Sequence, residues 1–242
     1  MVGCVPSGPG PKELPRTSAF AQDDGAPDPV LVAVLARHTA GEADLPDVVA
    51  ALVGTRVLVP VLAHEGGPTG HEDREGSTAV VALRVPDGRT ALPVFTGVPA
   101  LTAWHAEARP VPAEIARAAA SALAEGWQVL VVDPAGPVTV VIPRPAVQAL
   151  AIGLPWEPAV RAGVVRPDVA EAVGRTLAGV VHLRSVRVEP GRRSELAVVL
   201  GLAPGLDRAA LSAVVDEVNT RLGADPMVAQ ADSLELRPVT AG

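Results

Sequence analysis

The order strand, turn, strand, helix occurs three times in this 242-residue chain, and it limits the fold more than any other feature. The first block is STAVVALRVPDGRTALPVF followed by VPALTAWH, and the second is WQVLVVDPAGPVTVVIP followed by PRPAVQALAIG. The third is VVHLRSVRVEPGRRSELAVVLGL followed by a helix over 205–223. Each turn carries proline and glycine, as β-hairpin turns commonly do. Hairpins in blocks with helices, rather than strict βαβ alternation, predict an α+β class with mixed or antiparallel sheets.

Caps and breakers in the sequence predict the ends of several elements. Asp44 stands where a helix N-cap would accept free backbone N–H groups, and Gly54 follows as a helix stop. The next segment, Arg56–Ala63, is a continuous apolar run, which is typical of a strand buried on both faces. Near the end of the chain, Asp207 is predicted to cap a helix that Gly223 ends.

Changes in composition predict two domains joined by a linker. Residues 1–29 are rich in Pro, Gly, Asp and Ser and lack apolar periodicity, so we expect a disordered leader. The first domain is predicted over 30–153, and the three prolines of 154–167 mark the linker. Residues 168–242, which open with a predicted helix, form a smaller α+β domain.

The balance of charge and the cysteine count restrict partners and compartment. Twenty basic against 27 acidic residues give a net charge of −7, whereas binding to a phosphate backbone needs clustered cations. The single cysteine, Cys4, excludes an intrachain disulfide. The start of the chain lacks the pattern of a signal peptide, and no apolar run reaches the roughly eighteen residues of a membrane span. We therefore expect a cytoplasmic protein that binds neither nucleic acid nor membrane.

The glycine-rich stretch 64–76 is the strongest metal candidate in the sequence. It holds His64, Glu65, His71, Glu72 and Asp73, but the histidines are seven residues apart and no cysteine supports them. Two histidines share a helical face when they are four residues apart, so this spacing favours a solvated loop without a metal. The stretch also lacks the lysine of a phosphate-binding loop. No Gly-x-Ser-x-Gly elbow occurs in the chain, and the sequence predicts no catalytic residue and no cofactor.

Aromatic residues make up only 2% of the chain, so each is expected to supply core volume. Phe95 is predicted to pack beneath the helix that carries Trp104, and Trp127 is predicted to be buried as well. Thr96 is predicted to cap the free N–H groups of the Trp104 helix. If a ligand or peptide binds at this strand end, Phe95, Thr96 and Trp104 are the residues it meets. Trp156 lies among the prolines of the linker, where it either staples the domains together or faces a partner.

Between Arg56 and Gly153, the order of motifs resembles the SseB family, in particular its actinobacterial members. The matching residues are the strand LVPV, a hairpin with Asp-Gly at its turn, LPVFT before a tryptophan-bearing helix, and DPAGP before the next strand. The layout after residue 168 is similar to the family's C-terminal domain. The resemblance implies an α+β fold with no established enzymatic activity and no cofactor. The enhanced-serine-sensitivity phenotype that names the family implies an influence on serine or sulfur amino-acid metabolism through a partner enzyme.

Two hypotheses of function follow. The first is a non-catalytic protein that binds another protein, because the sequence offers ample sheet and core but no convergent set of ionisable groups. The second is a small-metabolite-binding protein or an enzyme with a pocket at the domain seam near Trp156. There Arg144, Arg161 or Arg166 would take an anionic ligand, unless these arginines serve only surface solubility. Either hypothesis is compatible with a homodimer through an apolar sheet edge.

Overall fold

The computed structural model describes residues 20, 22–63 and 78–241, and for residues 63 and 78–80 it describes the backbone alone. The helices are α1 (Pro29–Thr39), α2 (Leu45–Leu52), α3 (Val98–Trp104), α4 (Ile115–Ala124), α5 (Arg144–Ala151), α6 (Pro167–Thr176) and α7 (Arg208–Ala224). The strands are β1 (Arg56–Ala63), β2 (Thr78–Val80), β3 (Leu83–Arg84), β4 (Thr90–Val94), β5 (Arg109–Glu114), β6 (Val129–Val132), β7 (Val140–Ile142), β8 (Val160–Arg161), β9 (Val164–Val165), β10 (Leu183–Pro190), β11 (Leu196–Leu202) and β12 (Leu234–Thr240). A 3-10 turn occupies Val228–Gln230.

Mixed and antiparallel sheets alternate with these helices, so the predicted α+β class is confirmed. Among the described residues, no helix combines the length and apolarity needed to cross a bilayer.

Two sheets in the first part of the chain meet at one strand end. The first has the order β2-β1-β5, and the second has the order β3-β4-β6-β7 with β4 and β6 parallel. Leu58 of β1 and Phe95, just after β4, exchange two backbone hydrogen bonds of 2.8 and 2.9 Å. This bridge fixes the end of β4 against β1.

The main core lies between the second sheet and four helices. Helix α1 contributes Leu31 and Leu35, which are one turn apart and both buried. Buried side chains of α2, α4 and α5 join the inward residues of β1, β4, β6 and β7 in the same cluster. Because most of these side chains are Ala, Val or Leu, the core is built from many small contacts, as the composition predicts.

A second hydrophobic cluster lies around the sheet β10-β11-β12. All seven residues of the central strand β11 are buried. Its partner β12 runs parallel to it, while β10 pairs antiparallel through the predicted hairpin at Pro190-Gly191. The prediction of two domains divided at 154–167 agrees with these separate clusters and stays a prediction.

Predicted helix caps are confirmed where the capping chemistry is local. Asp44 accepts the Asp47 N–H at 3.2 Å, and the Asp47 carboxylate accepts the Asp44 N–H at 2.9 Å, a reciprocal capping box. Asp207 likewise accepts the Ala210 N–H at 2.8 Å. The predicted end of the last helix at Gly223 is wrong, because α7 continues through Ala224 to Asp225.

The sequence misassigned parts of the first hairpin and missed one strand. The apolar run 77–85 divides into β2, which pairs with β1, and β3, which pairs with β4. Strand β5 was not predicted, because it carries Pro110 and Pro112 and proline cannot donate to a sheet ladder. It is tolerated as an edge strand along β1. The predicted linker also contains a small hairpin, β8–β9.

Candidate functional site

The carboxyl ends of parallel strands β4 and β6 bring together two buried polar residues, Thr96 and Asp133. The Thr96 backbone N–H donates to Asp133 Oδ1 at 2.8 Å, and the Thr96 hydroxyl donates to Asp133 Oδ2 at 2.8 Å. The prediction that Thr96 caps α3 is therefore wrong. Gly97 is the N-cap residue of that helix and has no side chain to donate or accept, while the Thr96 hydroxyl serves a residue 37 positions away.

Asp133 sits in an unusual turn that holds its carboxylate inward. Its φ is 46° and that of Ala135 is 61°, both in the left-handed region. The Asp133 carbonyl accepts the Gly136 N–H at 3.0 Å and the Thr139 hydroxyl at 2.9 Å. Burial raises the pKa of the Asp133 carboxyl above its ordinary value, and the two hydrogen bonds from Thr96 oppose that shift.

The raised pKa of Asp133 predicts how stability depends on pH. Between the ordinary value of 3.8 and the raised value, the folded state binds more protons than the unfolded state. The free energy of unfolding therefore falls as pH rises through this window, and levels off above it. Urea unfolding of the wild type and Asp133→Asn, compared between about pH 3.5 and pH 7, isolates this contribution. We expect the stability of the wild type relative to the variant to decrease with pH; an increase would contradict the assignment.

Phe95 and Trp104, two more of the predicted binding residues, lie beside this pair but form part of a packing unit. Phe95 is fully buried, and its ring centroid lies 5.3 Å from that of Trp104 at an angle of 41°. Leu58 and Leu101 complete the cluster, which confirms that Phe95 packs beneath α3. The main role of these two rings is therefore to attach α3 to the sheet, and a binding role for them stays a prediction.

Trp156 is separate from these residues and lines a pocket of about 470 Å³. This cavity is here called the seam pocket. It is lined by residues 44–46, 143, 156, 158, 160–162, 195, 232 and 233. Trp156 also packs against the main core. The pocket thus lies where the first part of the chain, the predicted linker and the last sheet come together.

Charged groups around the seam pocket already bond to protein partners. Arg161 pairs with Asp44 at 2.9 Å, and Arg89 pairs with Asp232 at 2.7 Å. Glu195 accepts N–H groups from residues 159, 160 and 232 through its two carboxylate oxygens, at 2.6–3.2 Å. These bonds join distant parts of the sequence and hold the pocket wall in place.

The indole Nε1 of Trp156 is the exception. It is buried, and it has no hydrogen-bond partner among the described residues. Leaving a buried N–H unpaired costs about 1–3 kcal/mol, so a small movement of the indole that brought this atom to an acceptor would be stabilising. Sequence reasoning selected Trp156 from its position among prolines, but could not find Asp232 or Glu195, which lie about 80 and 40 residues further along the chain.

The three arginines proposed for an anionic ligand differ in their surroundings. Arg161 is occupied by Asp44. Arg166 donates to the Asp168 carboxylate and to the Gln230 side-chain oxygen, and the hydrogen bond to Asp168 raises the pKa of its guanidinium. Arg144 contributes its backbone N–H to Asp232 at 3.2 Å. The pocket wall itself carries three carboxylates against the one guanidinium of Arg161, which disfavours an anion.

The pocket holds no pair of groups arranged for nucleophilic attack among the described residues that line it. Ser233 Oγ accepts the Glu195 backbone N–H at 2.9 Å, and no base is bonded to it in the described part of the chain. The metal candidate at 64–76 falls outside the described residues. Fold and site together define an α+β protein with a pocket of about 470 Å³ between the predicted linker and the last sheet.

The family of the chain follows from its first part. Residues 31–149 match the model of the SseB protein N-terminal domain, and through this domain the chain belongs to the SseB family. The match includes the LPVFT strand end, the α3 helix and the Asp133 turn, the motifs that carried the resemblance. Neither a curated protein nor a solved structure matches the chain.

Proposed function

We propose that this SseB-family chain is a non-catalytic cytoplasmic protein that acts by binding another protein at the seam pocket. The observation that carries the proposal is the unpaired Trp156 indole N–H in a wall whose carboxylates and arginine are otherwise bonded. We expect the partner to fill the pocket with an apolar side chain and to place a carbonyl against Nε1 of Trp156, which gives that N–H a hydrogen-bond acceptor. Tryptophan is enriched at the centres of such interfaces.

The nature of the partner is part of the proposal. The phenotype that names the family points to serine or sulfur amino-acid metabolism, and an enzyme of that metabolism is the partner we propose. The surface around the pocket presents Asp44 and Arg161 as an exposed ion pair, which suits a polar rim around an apolar centre.

A second candidate is a small-molecule ligand, and the size of the pocket favours it. Ligand sites commonly measure about 300–1,000 Å³, a range that includes the seam pocket. The surplus of carboxylates changes the expected ligand from an anion to a neutral or zwitterionic molecule with an acceptor for Trp156.

The variant Trp156→Phe tests the pocket in either case, because it keeps an aromatic ring and removes only the N–H. We expect affinity for the partner captured by the wild type to fall about tenfold, the equivalent of one hydrogen bond. Leu154→Ala, at an exposed position outside the pocket wall, is the matched control and should bind as the wild type does. Calorimetric titration gives both values.

A thermal-shift screen of amino acids and sulfur metabolites separates the two candidates. A saturable shift that Trp156→Phe abolishes supports the small ligand. Absence of any shift, together with stoichiometric capture of one protein that Trp156→Phe binds more weakly, supports the protein partner. Equal capture by the wild type and Trp156→Phe would overturn the assignment of the pocket.

A further inference from the structure

Residues 23–27, here called the N-terminal arm, lie in a notch formed by Arg56, Thr96, Gly97 and Val98. The notch is at the end of β4, on a different set of residues from the seam pocket. None of the arm residues belongs to a hydrophobic cluster among the described residues. The arm is therefore held by polar contacts and close backbone packing.

Arg56 provides the charged contact of the notch. Its Nε lies 2.8 Å from Asp23 Oδ2, and both side chains are largely buried, at 16% and 13% exposed. One terminal nitrogen of the same guanidinium donates to the Ala26 carbonyl and the other donates to the Thr96 carbonyl at 2.9 Å. The planar guanidinium of Arg56 thus binds the Asp23 carboxylate and the backbone carbonyl of Ala26, three residues further along the arm.

Gly97 and Val98 shape the rest of the notch around the backbone of the arm. The Val98 N–H donates to the Gly25 carbonyl at 2.9 Å. A Cβ atom on Gly97 would lie 2.9 Å from Pro27 Cδ and 3.0 Å from the Gly25 carbonyl oxygen, so only glycine leaves room for this approach. On the arm, Gly25 has a φ of 75°, and a Cβ there would lie 2.5 Å from Val98 Cγ2.

Two backbone contacts outside the arm hold the notch in place. Arg56 is fixed by the pairing of β1 with β5, and the end of β4 is fixed by the Leu58–Phe95 bridge. The arm, in turn, is shaped by its own turns, since Asp23 and Asp24 each accept an N–H two residues ahead. Because a few polar bonds join the arm to the notch, an external segment that offers the same groups could replace the arm.

We propose that the notch is a peptide-binding site for an Asp-x-Gly-x-Pro segment of a partner protein, which the N-terminal arm occupies as a built-in competitor. The aspartate pairs with Arg56, the glycine carbonyl accepts the Val98 N–H, and the proline covers Gly97. Because a tethered segment has an effective concentration in the millimolar range, the arm would keep weak partner segments out until one binds more tightly.

The test uses the full chain and a fluorescent peptide with the sequence of residues 22–28, QDDGAPD. The double variant Asp23→Ala/Gly25→Val releases the arm, because it removes the ion pair and places a side chain against Val98. We expect anisotropy titration to show saturable binding to this variant at least tenfold tighter than to the wild type. Gln22→Ala, at an exposed position next to the arm but outside it, is the control and should bind the peptide as weakly as the wild type does.

Two further variants make the result specific to the notch. Added to the released chain, Arg56→Met should abolish peptide binding, whereas Arg117→Met, an exposed arginine on α4, should leave it unchanged. The single variant Asp23→Ala serves as a second released chain if the double variant does not fold. Failure of every released chain to bind the peptide, or equal binding by the Arg56→Met chain, would overturn the proposal. Neither outcome bears on the seam pocket, which Trp156→Phe tests separately.

Discussion

Replacing Phe95 with alanine is expected to lower the free energy of unfolding by about 3–5 kcal/mol, the range for a fully buried phenylalanine. Phe95 is 0% exposed, contacts the Trp104 ring and bridges β1 through its backbone. Its neighbours Leu58, Leu101 and Trp104 are held on β1 and α3, so a cavity remains where the ring was.

Urea unfolding followed by circular dichroism measures this loss. Ile152→Ala is the control, because its side chain is 68% exposed and should cost less than about 0.5 kcal/mol. A loss below about 1 kcal/mol at Phe95 would mean that the strand end is not packed as described.

Replacing Asp133 with alanine is expected to cost about 3 kcal/mol. Hydrogen bonds to a charged group contribute about 1.5–3 kcal/mol each, and this variant removes both bonds from Thr96. Part of that loss is offset because a carboxylate no longer has to be buried. The alanine must also adopt the left-handed backbone of this turn.

Asp133→Asn is the matched control for this prediction. Its amide oxygen can still accept the Thr96 N–H, and asparagine tolerates a positive φ, so we expect a loss below about 1 kcal/mol. Chemical denaturation near neutral pH compares the two variants. Equal losses for alanine and asparagine would show that the hydrogen bonds to Thr96 are not what the fold requires.

The sequence predicted those features whose causes lie within a few residues. Asp44 and Asp207 were identified as caps because the N–H groups they accept are three positions away. Thr96 had the same local signal, yet its hydroxyl bonds to Asp133 across the sheet. A local pattern cannot show that a distant acceptor competes for the same side chain.

The candidate site shows the same limit. The sequence placed a pocket near Trp156 and named arginines beside it, but it could not show that Asp44 neutralises Arg161 or that Asp232 and Glu195 reach the same wall. Strand β5 was missed for a related reason: its prolines argue against a strand, and only the position at the edge of β1 makes them acceptable. In each case, the structure depends on contacts between residues that are far apart in the sequence.

Binding at the seam pocket can be followed by NMR through the indole N–H signals of the three tryptophans while the captured partner is added. Trp156 lines the seam pocket, whereas Trp104 and Trp127 pack against other parts of the core. We expect the Trp156 signal to shift or broaden and the other two to remain in place. A complex that forms with the Trp156 signal unchanged would contradict binding at the seam pocket.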